Sequence, residues 1–168
     1  FKVVCAIVGI ITGTESFFKT MQTNKHDLVV IGGGSAGYAA ARTAREAGAD
    51  VAIVDSGPLG GLCILRGCMP TKAILRSSNI LALARQGAEF GISAGEPSGD
   101  LAAIIRRKDR LIDEFAAERI EALRDDRFTL YEDHASFSGL REVAAGAHRL
   151  QFESAIIATG STASRVPI

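Results

Sequence analysis

The sequence predicts an α/β fold: a parallel sheet with flanking helices and an antiparallel β crossover. Three observations carry that expectation. A continuous apolar run, Leu28 to Ile31, leads straight into glycines and then into an Ala- and Arg-rich segment that stops at Gly48. A second apolar run, Asp50 to Val54, follows at once, so strand, helix and strand alternate with short connections. Beyond residue 127 the chain breaks into short β-like runs punctuated by glycine, before a last apolar run at Ala155 to Ala158.

Bulk properties narrow the function classes. A chain of 168 residues with 47% hydrophobic content has the size and apolar material for one domain. Its 19 basic and 19 acidic side chains cancel, which argues against nucleic acid or another polyanion as partner. Three cysteines without the spacing of a secreted scaffold fit a reducing compartment and a cytoplasmic location. Residues 1–20 differ in character from the rest. Val3 to Ile11 is apolar but far shorter than the roughly 20 residues that cross a bilayer, so no membrane role is expected. It reads either as a remnant upstream of a start at Met21 or as the apolar core of a signal peptide flanked only by Lys2. Cys5 lies there and receives no role. The folded domain is expected over 21–168.

Leu28 to Ile31 suits a strand buried on both faces. Gly32-Gly33-Gly34-Ser35-Ala36-Gly37 then spells G-x-G-x-x-G, and Ser35 to Ala47 reads as a helix. In this Rossmann-like context Gly32 allows the tight turn, Gly34 lets a diphosphate approach the backbone, and Gly37 lets helix pack on strand. The first turn of the helix, with Ser35 and Ala36, offers free N–H groups to the anion. Asp55 ends the second strand, 18 residues after Gly37, where a carboxylate accepts from ribose hydroxyls.

Gly60-Gly61-Leu62-Cys63-Ile64-Leu65-Arg66-Gly67-Cys68-Met69-Pro70-Thr71-Lys72 follows almost immediately. In a regular helix the offset between its cysteines is roughly 7.5 Å along the axis, beyond the ~7 Å limit for a disulfide. If Cys63 and Cys68 pair, the backbone between them is irregular, and Gly67 permits that. By spacing alone the stretch is a redox pair, two unrelated buried thiols, or half of a metal site; the last lacks a second pair of ligands, and no metal is expected.

Pro70 suits a first helical turn, and Thr71 to Ala84 continues helically with Ile74, Leu81 and Ala84 on one face. Gly91 to Gly99 reads as a loop, and Asp100 as the cap of a helix running to about Leu123. Leu101, Ile104, Leu111, Phe115 and Leu123 form its apolar stripe; Arg106-Arg107-Lys108 reads as a solvated face. The two helices are expected to pack together and to support a dimer. Phe128 to Tyr131, Ala135 to Phe137, Leu140 to Ala144 and His148 to Phe152 suggest an antiparallel meander with turns at Gly139 and Ala145-Gly146. His134 and His148 lack evident partners and are given no catalytic role. Ala155 to Ala158 is a further buried strand, closed by Thr159-Gly160-Ser161.

The pattern G-G-x-C-x-x-x-G-C-x-P-x-K, placed just downstream of G-x-G-x-x-G, resembles the active-site signature of the FAD-dependent pyridine nucleotide-disulfide oxidoreductases, the dihydrolipoamide dehydrogenase and mercuric reductase-like enzymes. The resemblance covers roughly residues 26–168. It implies that the first glycine site holds FAD, with Gly61, Ala135, Thr159, Gly160 and Ser161 also touching the cofactor. It implies that Cys63 and Cys68 form a redox disulfide, with Cys68 nearer the flavin and Cys63 exchanging with substrate, and that Lys72 lies by the flavin. The family pattern has Thr where this chain has Leu62, so that hydroxyl contact is lost. NAD(P)H as electron donor, a small-molecule or protein-bound disulfide or Hg(II) as substrate, and a homodimer are implied for the full-length enzyme. The second glycine motif and the C-terminal histidine of the family do not occur in this chain. It is therefore expected to be the first, incomplete segment of the FAD domain, inactive or weakly active alone. The alternatives are a catalytically inactive FAD-binding module and a flavoprotein that keeps the cysteines without using them.

Overall fold

Four consecutive β-favouring residues, Leu28 to Ile31, are almost wholly removed from solvent, as are Val51 to Val54. Strands apolar on both sides can only sit at the centre of a sheet covered on both faces. The computed structural model describes residues 22–93 and 95–162 and forms that sheet from six strands. They are β1 (Gln22–Ile31), β2 (Val51–Val54), β3 (Thr129–Tyr131), β4 (Ala135–Gly139), β5 (Glu142–Ala145) and β6 (His148–Ile157), in the order β3-β2-β1-β6-β5-β4. The first four positions run parallel; β5 and β4 are antiparallel. The helices are α1 (Ser35–Glu46), α2 (Gly61–Leu65), α3 (Cys68–Gln86) and α4 (Leu101–Leu123), with a 3-10 turn at Gly87–Phe90. The expected α/β class with an antiparallel crossover is borne out. The segment 1–20 with Cys5 lies outside the described residues.

One sheet face carries Leu28, Val30, Val51 and Ile53, packed against Ala41 of α1, Leu123 of α4, and Leu59 and Phe128. The other carries Val29, Ile31, Ala52 and Val54 against Val143, Ala145, Leu150 and Phe152 of the antiparallel arm. The alternation slips near the start of β1. Asp27 and Leu28 both donate their N–H to Asp50 O, at 3.0 and 3.1 Å, as in a β-bulge. His26 thereby joins the face of Val29 and Ile31. It is only 7% exposed. Its Nδ1 and the Asp50 carboxylate are 2.9 Å apart, and Nε2 lies 3.4 Å from the Tyr131 hydroxyl. Burial pushes the Tyr131 phenol up, and the Asp50 carboxylate adds to that.

Several expectations need correcting. Strand β1 starts at Gln22, six residues earlier than the apolar run, because it pairs with β6 along its whole length from Gln22 opposite His148. The run at Phe128 to Tyr131 is not part of the meander: β3 is a parallel edge strand beside β2. The runs at 148–152 and 155–158 are a single strand, β6, continuous through Glu153 and Ser154. The inward residue of α3 is Ala73, whereas Ile74 is 38% exposed. On α4, Leu123 is fully buried, but Phe115 is 40% and Leu101 69% exposed. Arg107 is not simply solvated, since its Nη1 donates to the Ala73 carbonyl of α3 at 3.3 Å. His148 is not alone either; its ring lies 5.0 Å from that of Tyr131.

Asp100 caps α4 as expected, accepting from Ala103 N at 3.1 Å. The last residue of that helix, Leu123, reaches the glycine turn after β1. A Cβ on Gly33 would lie 3.2 Å from the Leu123 side chain. Leu123→Ala therefore opens a cavity under the turn and is expected to lower the unfolding free energy by about 3 kcal/mol. Phe115→Ala, on the same helix, is expected to change it by less than about 1 kcal/mol. Urea unfolding followed by circular dichroism measures both; equal losses contradict this account of the packing.

Candidate nucleotide cavity and adjoining cysteine pair

Ligands of parallel sheets bind beyond the carboxyl ends of the strands, and a cavity among the described residues opens there. Its floor is the turn from β1 into α1. Gly32 N–H donates to Val54 O and Ala158 N–H to Ile31 O, both at 2.8 Å, so the ends of β1, β2 and β6 are tied together. Gly32 has a φ of +104°, and a side chain on it would run into the Ala158 carbonyl. On Gly37 a side chain would collide with the Gly32 carbonyl oxygen, so α1 can approach the strand only with glycine there.

Gly34 is different. Its φ of −66° and ψ of −171° suit any residue, and a Cβ there would meet only Gly61 Cα, at 3.7 Å. Protein packing does not demand glycine at this position, but the cavity it lines does, if a ligand must touch the backbone. That is the cradle a diphosphate needs at a helix N-terminus.

The cavity has a volume of about 530 Å³. Of the residues expected to bind a cofactor, Gly32, Gly34, Asp55 and Gly61 line it, as do Ala135, Thr159, Gly160 and Ser161 from the far side. Ser35, Ala36 and Gly37 stand behind this wall on α1 and do not line it. Asp55 holds the turn together: one carboxylate oxygen accepts from Gly33 N at 2.6 Å and the other from Gly57 N at 2.7 Å. Each oxygen keeps a lone pair for a ribose hydroxyl. Reasoning from sequence missed Pro58, Arg66, Asp133 and His134, all in the cavity wall. Arg66 was within reach of that reasoning, because it sits inside the cysteine motif and is the one arginine or lysine of the lining among the described residues.

The cysteines adjoin the cavity without lining it. Gly61, with φ of +74°, opens α2 directly against the glycine turn; a Cβ on it would be 2.5 Å from Gly34 Cα. Helix α2 ends at Leu65 and α3 begins at Cys68, so the two sulfurs flank a break in the helix rather than a regular turn. Gly67 fills the break, where a Cβ would press to 3.1 Å from the Leu62 carbonyl oxygen. Pro70 falls in the first turn of α3, and Thr71 Oγ1 donates to Gly67 O at 3.1 Å.

Both thiols are free, Cys63 half-buried and Cys68 exposed. The Cys68 side chain beside it holds the Cys63 thiol below the usual range, and Ser35 and the Lys72 ammonium add to the effect against burial. The Cys63 side chain, with burial and the charge on Cys63, pushes the Cys68 thiol up. Lys72 acts on both sulfurs through its charge alone.

Residues 26–168 match the family profile described as pyridine nucleotide-disulphide oxidoreductase. The chain is 32% identical over 147 residues to a dihydrolipoyl dehydrogenase of Acholeplasma laidlawii, covering 87% of this chain and 44% of that protein. It is 34% identical over 138 residues to a mercuric reductase of Staphylococcus aureus, covering 82% of this chain and 25% of the reductase. In structure it resembles the HOCl-induced flavoprotein disulfide reductase RclA of Escherichia coli, solved as a Cu(II) complex, with a TM-score of 0.67 at 26% identity over 86% of this chain and 31% of that one. The chain thus spans less than half the length of these relatives. Proteins of this kind use FAD and NAD(P)H. A profile match over most of the chain, these identities and the shared fold show that the chain belongs to the pyridine nucleotide-disulphide oxidoreductase family.

Proposed function

We propose that residues 21–168 are the first segment of the FAD-binding domain of a cytoplasmic disulfide oxidoreductase. In this reading electrons run from NAD(P)H through FAD to the Cys63–Cys68 pair and on to a disulfide or Hg(II). The observation that carries the reading is the backbone contact between Gly34 and Gly61, which sets the cysteine helix against the diphosphate cradle. In this reading Gly32 and Gly34 would hold the diphosphate of a dinucleotide, Asp55 a ribose and Ala135 the adenine end, all four being residues of the same cavity wall. Thr159, Gly160 and Ser161 close the opposite side. FAD, when bound, supplies the two-electron chemistry that links a nicotinamide donor to the sulfurs.

The thiol chemistry follows from the two environments. The Cys63 thiolate attacks one sulfur of a substrate disulfide, forming a mixed disulfide and expelling the other sulfur as a thiolate. Cys68, after giving up its proton, attacks Cys63 Sγ, closing the Cys63–Cys68 bond and releasing the second substrate thiol. Two electrons pass to the substrate, and the cysteine pair is left oxidised for the next reduction. In this reading Cys68 would be the sulfur nearer the bound FAD, and Lys72 would supply positive charge beside it. Among the described residues no helix is long and apolar enough to cross a membrane. The apolar side chains left outside on α3 and α4, such as Leu83 at 61% and Leu101 at 69% exposure, support assembly into a homodimer.

Two experiments test this reading. The chain titrated with FAD is expected to acquire flavin absorbance, and partial reduction to add a long-wavelength band between flavin and thiolate. Cys68→Ser is expected to abolish the band and keep the flavin; a variant that retained the band would falsify the role given to Cys68. Gly34→Ala is expected to weaken FAD binding at least about tenfold, because a methyl enters the cradle at a cost of roughly 1.4 kcal/mol or more. Its unfolding midpoint is expected to stay close to that of the parent, since its backbone angles suit alanine. Tight FAD binding by this variant argues against the proposed position of the diphosphate.

A further inference from the structure

The wall of the cavity carries two carboxylates, Asp55 and Asp133, against one arginine or lysine among the described residues, Arg66. An anionic ligand entering this space meets two like charges, and Arg66 is the residue whose charge opposes them. Neither carboxylate occupies the arginine. The oxygens of Asp55 accept from Gly33 N and Gly57 N at 2.6 and 2.7 Å, and Asp133 accepts from His134 N at 2.7 Å. Among the described residues the Arg66 side chain makes no hydrogen bond or ion pair, so the donors of its guanidinium are open to a ligand. Its place is set by the break between the two helices. Arg66 caps α2, with φ of −140° and ψ of −4°, and its N–H donates to Leu62 O at 2.9 Å. One helical turn thus puts Arg66 beside Leu62, and both line the cavity together with Leu65. Leucine offers an anion nothing, so Arg66 is the charged side chain that the cysteine helix brings to this wall. That helix opens at Gly61 against Gly34, five residues earlier or roughly 7.5 Å along a helical axis.

We propose that Arg66 is a binding residue for the diphosphate of the dinucleotide, supplying the full positive charge that the backbone N–H groups at Gly34 lack. The inference rests on the reading of this cavity as the dinucleotide site. It assigns the site a preference for nucleoside diphosphates over nucleosides, set by one side chain. A guanidinium presents its donors in a planar fork that matches phosphate oxygens. Arg66 also stands between Cys63 and Cys68 in the chain, next to Gly67. The contact therefore ties the ligand to the segment that carries both sulfurs.

The test is calorimetric titration of the chain with ADP and with adenosine. The parent is expected to bind ADP more tightly than adenosine. Arg66→Gln is expected to weaken ADP binding about tenfold, the loss of one charged hydrogen-bonding partner, and to leave adenosine unchanged. The gap between parent and variant is expected to narrow as salt is raised, because the lost interaction is between charges. Arg66→Lys keeps the charge without the fork and is expected to recover part of the loss. In the parent, ADP is expected to slow labelling of Arg66 by phenylglyoxal, followed by mass spectrometry, and adenosine is not. A merely solvated arginine gives none of these differences. Unchanged ADP affinity in Arg66→Gln, with the helical circular dichroism of the parent, overturns the proposal. So does a parent that binds ADP no better than adenosine. FAD titration is read separately: ADP binding that needs Arg66, without any binding of FAD, sinks the functional reading and leaves the arginine its role.

Discussion

The site depends on two glycines that touch. Gly34 closes the turn after the first strand, and Gly61 opens the short helix that carries Cys63. With one hydrogen atom in place of each side chain, their backbones pack where a single added methyl on Gly61 would leave only 2.5 Å to Gly34 Cα. Glycine at 61 also meets the backbone's own demand, a φ of +74° that an L side chain rarely adopts. The glycine turn and the helix that carries Cys63 are thereby one corner of the structure, although they are separate motifs in the sequence. Second in importance is the Asp55 carboxylate, which spans Gly33 and Gly57 and holds the turn in place.

Elements whose cause is local were legible. The glycine turn, the break at Gly67 and the Asp100 cap each follow from what one residue can do to the backbone beside it. Elements whose cause is a distant partner were not. Nothing in Thr129, Leu130 and Tyr131 says that they pair with β2 rather than with the next strand, and the polar start of β1 becomes a strand only because β6 runs alongside it. Periodicity likewise located the apolar faces of α3 and α4 but not which part of each face meets the other helix. Thus Ala73 is buried while its larger neighbour Ile74 stays partly outside.

The same division holds for the cavity. Its wall nearest the glycine motif was readable, because motif glycines and a strand-terminal acid have defined tasks. Its far wall was not, because Asp133 and His134 are recruited by the turn between β3 and β4, far away in sequence. His26 belongs with these. A buried imidazole held by Asp50 and Tyr131 has partners from two separate strand regions, and no sequence spacing announces it.

The pairing of β1 with β6 also governs how the chain acquires its shape. The two strands run side by side for their full length, yet Gln22 opposite His148 joins residues more than a hundred positions apart. Closing so long a loop costs entropy before any contact repays it, which makes this parallel pairing a slow, late event. On the ribosome β1 must wait for more than a hundred further residues to emerge before its neighbour β6 exists. Through that interval Val29 and Val30 present an unpaired, apolar strand edge, and it is in the nascent polypeptide that aggregation or chaperone capture would strike first.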